Sequence, residues 1–409
     1  MSQPTGFKDS LHPDYVCQLK KFLYGLKQSP RKWFETFSTY LIAYGFHQSA
    51  ADPSLLIYNK DAKTIYILVY VDDILLTGND AATITHLLSA LHNRFNMKNL
   101  GSISYFLGMQ VLHTDNGFHL SQSKYAADIL QKAGMAECKP ISTPIASKTP
   151  FSGSTTLPSV QADLFKQLVG SLQYLTLTRP DIFYTVNRLC QHMHQPQEIH
   201  FQLLKHLLRY LKGTLSFGLP LVATTLRLSA YSDSDRAGNP VDRKSTTGYC
   251  AFLGSNLISW QVKKQKTVAR SSTEAEYRAL ATAAMDIIWL QRLLGEFGIS
   301  SSSPTTLFCD NISYIALANN PVFHARTKHI EIDFHFVREC FHNKLLHVTH
   351  VHTTDQLADL FTKALSLQRF QFLRHKLTIH EPNISLRGGD KLCDKQAHIS
   401  LHASTTLPR

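Results

Sequence analysis

A chain of 409 residues, 44% hydrophobic and 18% charged, is too long for one average core and implies two or three domains, each able to bury enough surface to fold. Its formal net charge of +12 favours an anionic partner, nucleic acid before membrane, because no basic amphipathic helix stands out. Seven scattered cysteines without a C-x-x-C pair, a polar N-terminus and no uninterrupted apolar run of spanning length argue against secretion and membrane insertion and for a reducing, intracellular setting.

Residues 1–13 are polar and rich in turn formers. From Val16 onward lysines and an arginine interleave with Phe22, Tyr24 and Trp33, which suits phosphate contact with stacking on a base or sugar, although a solvated basic face has the same pattern. A helix is expected over 30–44. Residues 64–78 read as two short strands whose turn is Val71-Asp72-Asp73. A solvent-facing hairpin tip normally carries Asn-Gly or Asp-Gly, and here two adjacent carboxylates lie between apolar runs. Such a pair resists ionising unless a cation compensates it, and Mg²⁺, which takes oxygen ligands and arrives with phosphates, is the natural partner. A surface turn with incidental acids is the plainer alternative.

Helical spacing follows at 81–95 through Ile84, Leu87, Leu88, Leu91 and Phe95. Residues 105–111 read as a strand bent at Gly108, and Asp115-Asn116-Gly117 turns a second hairpin. A helix over 123–133 leads to a Pro/Ser/Thr-rich loop at 139–160, after which helices are expected over 161–177, 179–193 and 199–212. The composition changes near 226. Strands are expected over 226–232, 248–253 and 257–260, a basic loop at 262–266, a long helix over 273–297 and a short strand at 307–310. Helices over 311–317 and 329–343, a strand at 346–351 and a helix over 356–365 complete the pattern, and beyond about 380 the sequence is polar and unpatterned.

Four acids of this half stand at element ends: Asp233, Glu276, Asp310 and Asp359. If the elements pack as one mixed sheet with helices, these carboxylates can converge and chelate two metals about 4 Å apart, the arrangement of a phosphodiester hydrolase that needs no protein nucleophile. Spacing alone does not single them out, since Asp235, Asp242, Glu274, Asp333 and Asp355 compete on composition. His329, Asp333 and His335 share an expected helix, but His335 falls off the face of the other two and no cysteine pair accompanies them, which argues against zinc there.

Several longer runs are more specific. They are Gln-Pro-Thr-Gly-Phe at 3–7, Leu-Tyr-Gly-Leu-Lys-Gln-Ser-Pro-Arg at 23–31, Tyr-Val-Asp-Asp-Ile-Leu at 70–75, Tyr-Phe-Leu-Gly at 105–108 and Leu-Arg-Tyr-Leu-Lys-Gly at 208–213. The C-terminal half adds Tyr-Ser-Asp at 231–233, Arg-Lys-Ser-Thr-Thr-Gly-Tyr at 243–249, Ser-Ser-Thr-Glu-Ala-Glu-Tyr at 271–277, Cys-Asp-Asn at 309–311, Arg-Thr-Lys-His-Ile at 326–330 and Gln-Leu-Ala-Asp at 356–359. On these runs the chain resembles, over about 3–375, the reverse transcriptase and ribonuclease H region of the Pol polyprotein of copia-type LTR retrotransposons, plant-like in character.

The resemblance implies a multidomain α/β and α+β chain. A partial reverse transcriptase fingers and palm is expected at 1–112, thumb- and connection-like helices at 113–225, a ribonuclease H-like mixed-sheet α/β domain at 226–375 and a C-terminal tail at 376–409. It implies that Asp72 and Asp73 hold catalytic Mg²⁺, and that Tyr24, Gly25, Lys27, Ser29 and Pro30 touch the templating base and incoming nucleotide. Phe106, Leu107 and Gly108 match a primer grip. Asp233, Glu276, Asp310 and Asp359 match the catalytic metal ligands of the nuclease, a two-metal site for Mg²⁺ with Mn²⁺ as the alternative ion. Residues 271–273 can cap the helix that presents Glu276.

In that family a third palm carboxylate lies on a strand ahead of the 3–7 run, so an N-terminally truncated polymerase with an incomplete metal pair is expected. Mg²⁺-dependent hydrolysis of RNA in RNA/DNA hybrids is then the activity expected to survive. Arg236 stands where the family usually has tryptophan, and His350 and His352 are the nearest counterparts of the histidine loop of cellular ribonucleases H. Expected partners are an RNA/DNA hybrid and template-primer, a dNTP if the polymerase is competent, and a homodimer or an upstream Pol segment, in the cytoplasm within a particle or in the nucleus. The alternative is a catalytically silent relic or domesticated protein that binds nucleic acid through its basic surface.

Overall fold

The computed structural model describes residues 2–19, 25–147, 155–300, 303–311, 331–382 and 399–403, with the backbone alone at 331–332 and 399–403. The chain divides into two compact units, Met1–Phe106 with Asp390–Arg409, and Leu107–Gly389.

In the first unit, helix α1 (Ser29–Tyr44) opens with a proline in its first turn and closes on Gly45 at φ 118, a left-handed position that suits glycine. It is followed by β1 (His47–Gln48), β2 (Leu55–Lys60), β3 (Lys63–Tyr70), β4 (Asp73–Gly78), α2 (Ala81–Phe95), β5 (Met97–Ser102) and the two-residue β6 (Tyr105–Phe106). Strands β1 to β4 lie side by side in order, each pair antiparallel. The C-terminal strand Ile399–Ala403 pairs with β4 on one side and β5 on the other, so a stretch expected to be unpatterned completes this sheet. The alternate residues Ile65, Ile67 and Val69 of β3 are buried, as the period of two requires for a sheet covered on one face. They meet Phe37 and Leu41 of α1 and Ile84, Leu87 and Leu91 of α2 in one core. Asp80 caps α2 by accepting from the Thr83 amide at 2.9 Å.

The second unit begins with β7 (Met109–Thr114), β8 (Gly117–Ser121) and α3 (Ser123–Lys132). Helices α4 (Ser159–Leu175), α5 (Phe183–Cys190) and α6 (Glu198–Lys212) follow, then β9 (Leu219–Val222), which pairs antiparallel with β8. The helix expected over 179–193 starts as a 3₁₀ turn at Pro180–Ile182 before α5. Next come β10 (Leu228–Asp235), β11 (Thr246–Leu253), β12 (Asn256–Lys264), α7 (Ser272–Glu296), β13 (Thr305–Cys309), the helix Glu331–His342 and β14 (Leu346–His350).

These five strands form a mixed sheet in the order β12-β11-β10-β13-β14, antiparallel through β12, β11 and β10 and parallel through β10, β13 and β14. The mixed-sheet α/β fold expected for this half is therefore present. Strand β11 is buried on both sides. Tyr249 and Ala251 pack with α7 and the helix Glu331–His342, through Tyr277, Leu280, Phe334 and Val337. Cys250 and Phe252 pack the other way, into a core shared with α4 to α6 and with Leu360, Phe361, Phe370 and Leu373.

The chain after β14 departs from expectation. A 3₁₀ turn at Thr353–Asp355 precedes a helix of only four residues, Asp359–Thr362, and a further helix, Leu367–Lys376, follows. That last helix buries only Phe370 and Leu373, too thin an apolar stripe to announce itself. It is anchored by a buried polar network. Arg179, 1% exposed, donates to both Asp181 oxygens at 2.9 and 2.8 Å and to the Thr214 carbonyl at 2.6 Å. The Tyr210 hydroxyl donates to Asp181 at 2.6 Å and accepts from Arg374 at 3.0 Å. Residues 312–317 of the expected helix and the run 326–330, His329 included, lie outside the described residues, as does Tyr24. No described helix is long and apolar enough to cross a membrane.

Candidate active site

Two neighbouring parallel strands supply the base of the site. The register sets Tyr231 of β10 beside Phe308 of β13, so Asp233 and Asp310, each two residues further on, emerge together at the carboxyl ends of their strands, where open α/β sheets place their sites. Asp359 is the first residue of the helix Asp359–Thr362. That helix reaches the sheet because Gly248 sits opposite Asp233. A Cβ at Gly248 would stand 2.6 Å from Phe361 Cβ and 2.8 Å from Thr362 Cγ2, so only glycine permits the approach.

Glu276 comes from the opening turns of α7. Ser271 is the N-cap, accepting from the Glu274 amide at 3.1 Å. Glu274 in turn accepts from the Arg270 amide at 2.8 Å and from Arg278 at 2.6 Å, which commits it to the helix start and leaves Glu276 to face the sheet end.

Carboxylate oxygens of Asp233, Asp310 and Asp359 lie within 4.8 Å of one another, and Glu276, Cys309 and Asp310 form a second such group. Asp233, Glu276 and Asp359 are buried and Asp310 is half-buried. Burial, reinforced by the charges of Asp233 and Asp310, pushes the Glu276 carboxyl up to about 9. Burial also raises Asp233 to about 6, with Lys363 opposing and Asp359 adding to the rise. Glu276 Oε2 is buried with no hydrogen-bond partner among the described residues.

The other acids are held by cations and hydroxyls. Lys363 Nζ lies 3.2 Å from Asp233 and 2.5 Å from Asp359. Although burial works against it, that acidic pair holds its ammonium above the usual lysine range. The Thr362 hydroxyl donates to Asp233, Arg369 donates to Asp359 at 2.6 Å, and the Thr353 hydroxyl donates to Asp310 at 3.3 Å. The four carboxylates offer oxygen donors alone, and with an orphaned buried oxygen among them they fit a hard divalent ion.

The competing acids fall elsewhere. Asp235 accepts from the Thr246 amide and burial raises it to about 7, but it belongs to neither group. Asp242 pairs with Lys264 at 2.8 Å and Asp355 with Lys376 at 2.7 Å. The run 262–266 is not a simple basic loop. Its first three residues end β12, and Gln265 is buried, donating to the Ala275 carbonyl at 2.9 Å and to Thr247 at 3.1 Å. Arg236 donates to the Arg270 carbonyl at 3.1 Å. Of the loop after β14 it is Thr353 that touches the acids, while His352 caps the 3₁₀ turn. Nothing in the sequence reading singles out Thr362, Lys363 and Arg369. Lys363 follows Asp359 by four residues, a helical pairing distance that could have exposed it.

In the first unit the hairpin turn is Val71-Asp72, and Asp73 already opens β4, paired with Tyr70. Val71 adopts φ 52, an uncommon place for a β-branched residue, and its carbonyl accepts from Trp33 Nε1 at 2.6 Å. Asp72 and Asp73 are half-buried. Among the described residues no third acid, histidine or cysteine joins them as a ligand cluster. Gly25, at φ 86, Lys27 and Pro30 are exposed and Ser29 half-buried around the start of α1. Phe106 is buried and ends the first of the two segments of that unit. In the second unit Leu107 and Gly108 both have positive φ, and the Leu107 carbonyl accepts from the Tyr174 hydroxyl of α4.

Residues 1–147 match the family described as reverse transcriptase (RNA-dependent DNA polymerase). The chain is 48% identical over 382 residues to the retrovirus-related Pol polyprotein from transposon RE2 of Arabidopsis thaliana, covering 93% of this chain and 26% of that protein. It thus spans about a quarter of the length of that relative. It is 52% identical over 226 residues to an uncharacterized mitochondrial protein of the same plant, AtMg00810, covering 55% of this chain and 94% of that one. Among solved structures, that of LC11-RNase H1, isolated from compost by a metagenomic approach, is similar at 16% identity and a TM-score of 0.27, covering 34% of this chain and 94% of the other.

Proposed function

Since the chain belongs to the copia-type retrotransposon Pol family, with the reverse transcriptase match over residues 1–147, we propose that it hydrolyses the RNA strand of RNA/DNA hybrids in a Mg²⁺-dependent reaction at Asp233, Glu276, Asp310 and Asp359. The observation that carries this reading is the meeting of four carboxylates from four separate segments at one end of the mixed sheet. Acids gathered this closely and this deeply cost stability that a cationic ligand returns. Divalent ions bound there supply the activation of water and the stabilisation of the leaving 3′ oxygen.

The chain's own residues hold the donors. Lys363 and Thr362 orient Asp233, Lys363 and Arg369 orient Asp359, Thr353 orients Asp310, and the Ser271 cap fixes the helix that carries Glu276. The exposed Lys263 and Lys266 near the start of α7, on a chain of net charge +12, suit contact with hybrid phosphates. We extend the same reading to the reverse transcriptase part, with metal contact at Asp72 and Asp73, nucleotide contact at Tyr24, Gly25, Lys27, Ser29 and Pro30, and primer contact at Phe106, Leu107 and Gly108. In this reading polymerisation belongs to the chain acting together with a Pol segment or partner that supplies a third carboxylate.

The test is cleavage of labelled RNA annealed to DNA by the purified chain, beside RNA/RNA and DNA/DNA duplexes. The expected result is cutting of the RNA in the hybrid alone, with Mg²⁺ or Mn²⁺ and not with EDTA. Salt-sensitive binding of all three duplexes without turnover would establish the binding-only alternative.

A further inference from the structure

Cys309 ends β13 and Asp310 follows it directly. The thiol belongs to the core, 1% exposed, yet its sulfur lies within 4.8 Å of a carboxylate oxygen of Glu276 and one of Asp310, which are themselves within that distance of each other. The site therefore mixes a soft donor with hard ones. Glu276 is 9% exposed and its Oε2 has no hydrogen-bond partner among the described residues, so this carboxylate has a lone-pair direction left for a ligand. Lys363, which holds Asp233 and Asp359, is not bonded to either Glu276 or Asp310 in any ion pair among the described residues.

Mg²⁺ takes oxygen ligands, whereas Zn²⁺ accepts a thiolate at about 2.3 Å together with carboxylate oxygens at about 2.0–2.2 Å, in a tetrahedron that can leave its fourth corner to water. Three donors under 4.8 Å apart are close enough to share one such ion after small side-chain adjustments. We propose that Cys309, Glu276 and Asp310 form a thiolate-containing site for a soft or borderline divalent ion such as Zn²⁺, and that an ion bound there withdraws Glu276 and Asp310 from the oxygen site and stops hydrolysis. The thiol proton leaves to solvent as the ion binds. The inhibitory half of the proposal rests on the nuclease reading, and the binding half does not.

The full chain, freed of metal, is titrated with Cd²⁺ or Co²⁺ while the thiolate-to-metal charge-transfer absorption is followed. The first equivalent is expected to give the band in the unsubstituted chain, excess Mg²⁺ to shift the titration to higher metal, and Cys309→Ser to lose the first-equivalent band with affinity down by about tenfold or more. Glu276→Gln, which keeps the thiol, is expected to weaken binding by a similar factor. In the hybrid-cleavage assay the inhibiting Zn²⁺ concentration rises by about tenfold or more in Cys309→Ser, each protein referred to its own zinc-free rate. A band that is absent from the unsubstituted chain, or that survives unchanged in Cys309→Ser, overturns the site. Should Cys309→Ser fail to fold, Glu276→Gln decides, and unchanged affinity there overturns it. A band lost in Cys309→Ser from a chain that cuts no hybrid leaves the site standing and tells against the nuclease reading instead.

Discussion

Glu276 shows most clearly what a buried cluster of acids costs a fold. Its carboxyl, raised to about 9 by burial and by Asp233 and Asp310, binds a proton more tightly in the folded chain than in the unfolded one. Its contribution to stability is therefore fully present below about pH 4.5 and is lost as pH rises through about 9. Glu276→Gln is expected to raise the stability of the metal-free chain at pH 8.5 by about 2 kcal/mol and to leave it little changed at pH 5, as denaturant unfolding at the two pH values would read. The same ionisation governs the metal. Divalent-ion affinity, measured calorimetrically, is expected to rise steeply between pH 6 and 9 as Asp233 and then Glu276 give up their protons. A flat affinity over that interval, or a loss of stability at pH 8.5 on Glu276→Gln, would contradict the assignment of Glu276 to a strained acid cluster.

The elements deliver these acids through local rules of unequal legibility. Helices α1, α2 and α6 follow apolar periodicity almost to the residue, because the stripe that buries a helix is written in its sequence. Strand β2 is not legible in the sequence because its turn to β3 uses Asp61 and Ala62, both at positive φ, in place of the Asn-Gly or Asp-Gly that marks a hairpin. The helix Leu367–Lys376 is equally illegible, because tertiary polar contacts through Arg369 and Arg374 hold it and no periodicity records those. The four acids were legible from the family resemblance, whereas Lys363 and Thr362 take their meaning from the closeness of Asp359–Thr362 to β10, which depends on Gly248. Gly248→Ala is expected to push that helix outward, lower stability by about 2 kcal/mol and depress hybrid cleavage more than tenfold. Gly170→Ala, within α4 where a Cβ meets nothing within 4 Å, should instead stabilise by about 0.5–1 kcal/mol with cleavage unchanged. Thermal unfolding and initial rates of the pair separate the two effects, and equal behaviour would show that the close approach is not needed.

At the scale of the whole chain, the second unit binds its helices and its mixed sheet into one structure. Cys250, Phe252 and Val262 of the sheet share a core with Leu168, Leu172 and Leu207, and the network of Arg179, Asp181 and Tyr210 ties the same helices to Arg374. Arg179→Met would leave Asp181 buried without its cation, at a cost of about 3–5 kcal/mol. Loss of far-ultraviolet helix signal and loss of Trp260 fluorescence, whose indole donates to the Thr176 carbonyl at 3.0 Å, are expected to shift together in that variant. Separate transitions would mean that helices and sheet fold independently. Hydrolysis at the four-acid site is put to the test by single-turnover cleavage of an RNA/DNA hybrid by the unsubstituted chain and by Asp310→Asn across a Mg²⁺ titration. The expected result is Mg²⁺-dependent cutting of the RNA strand that falls by about a hundredfold or more in Asp310→Asn. Equal cutting by both proteins, or none by the unsubstituted chain at any Mg²⁺ concentration, would contradict it.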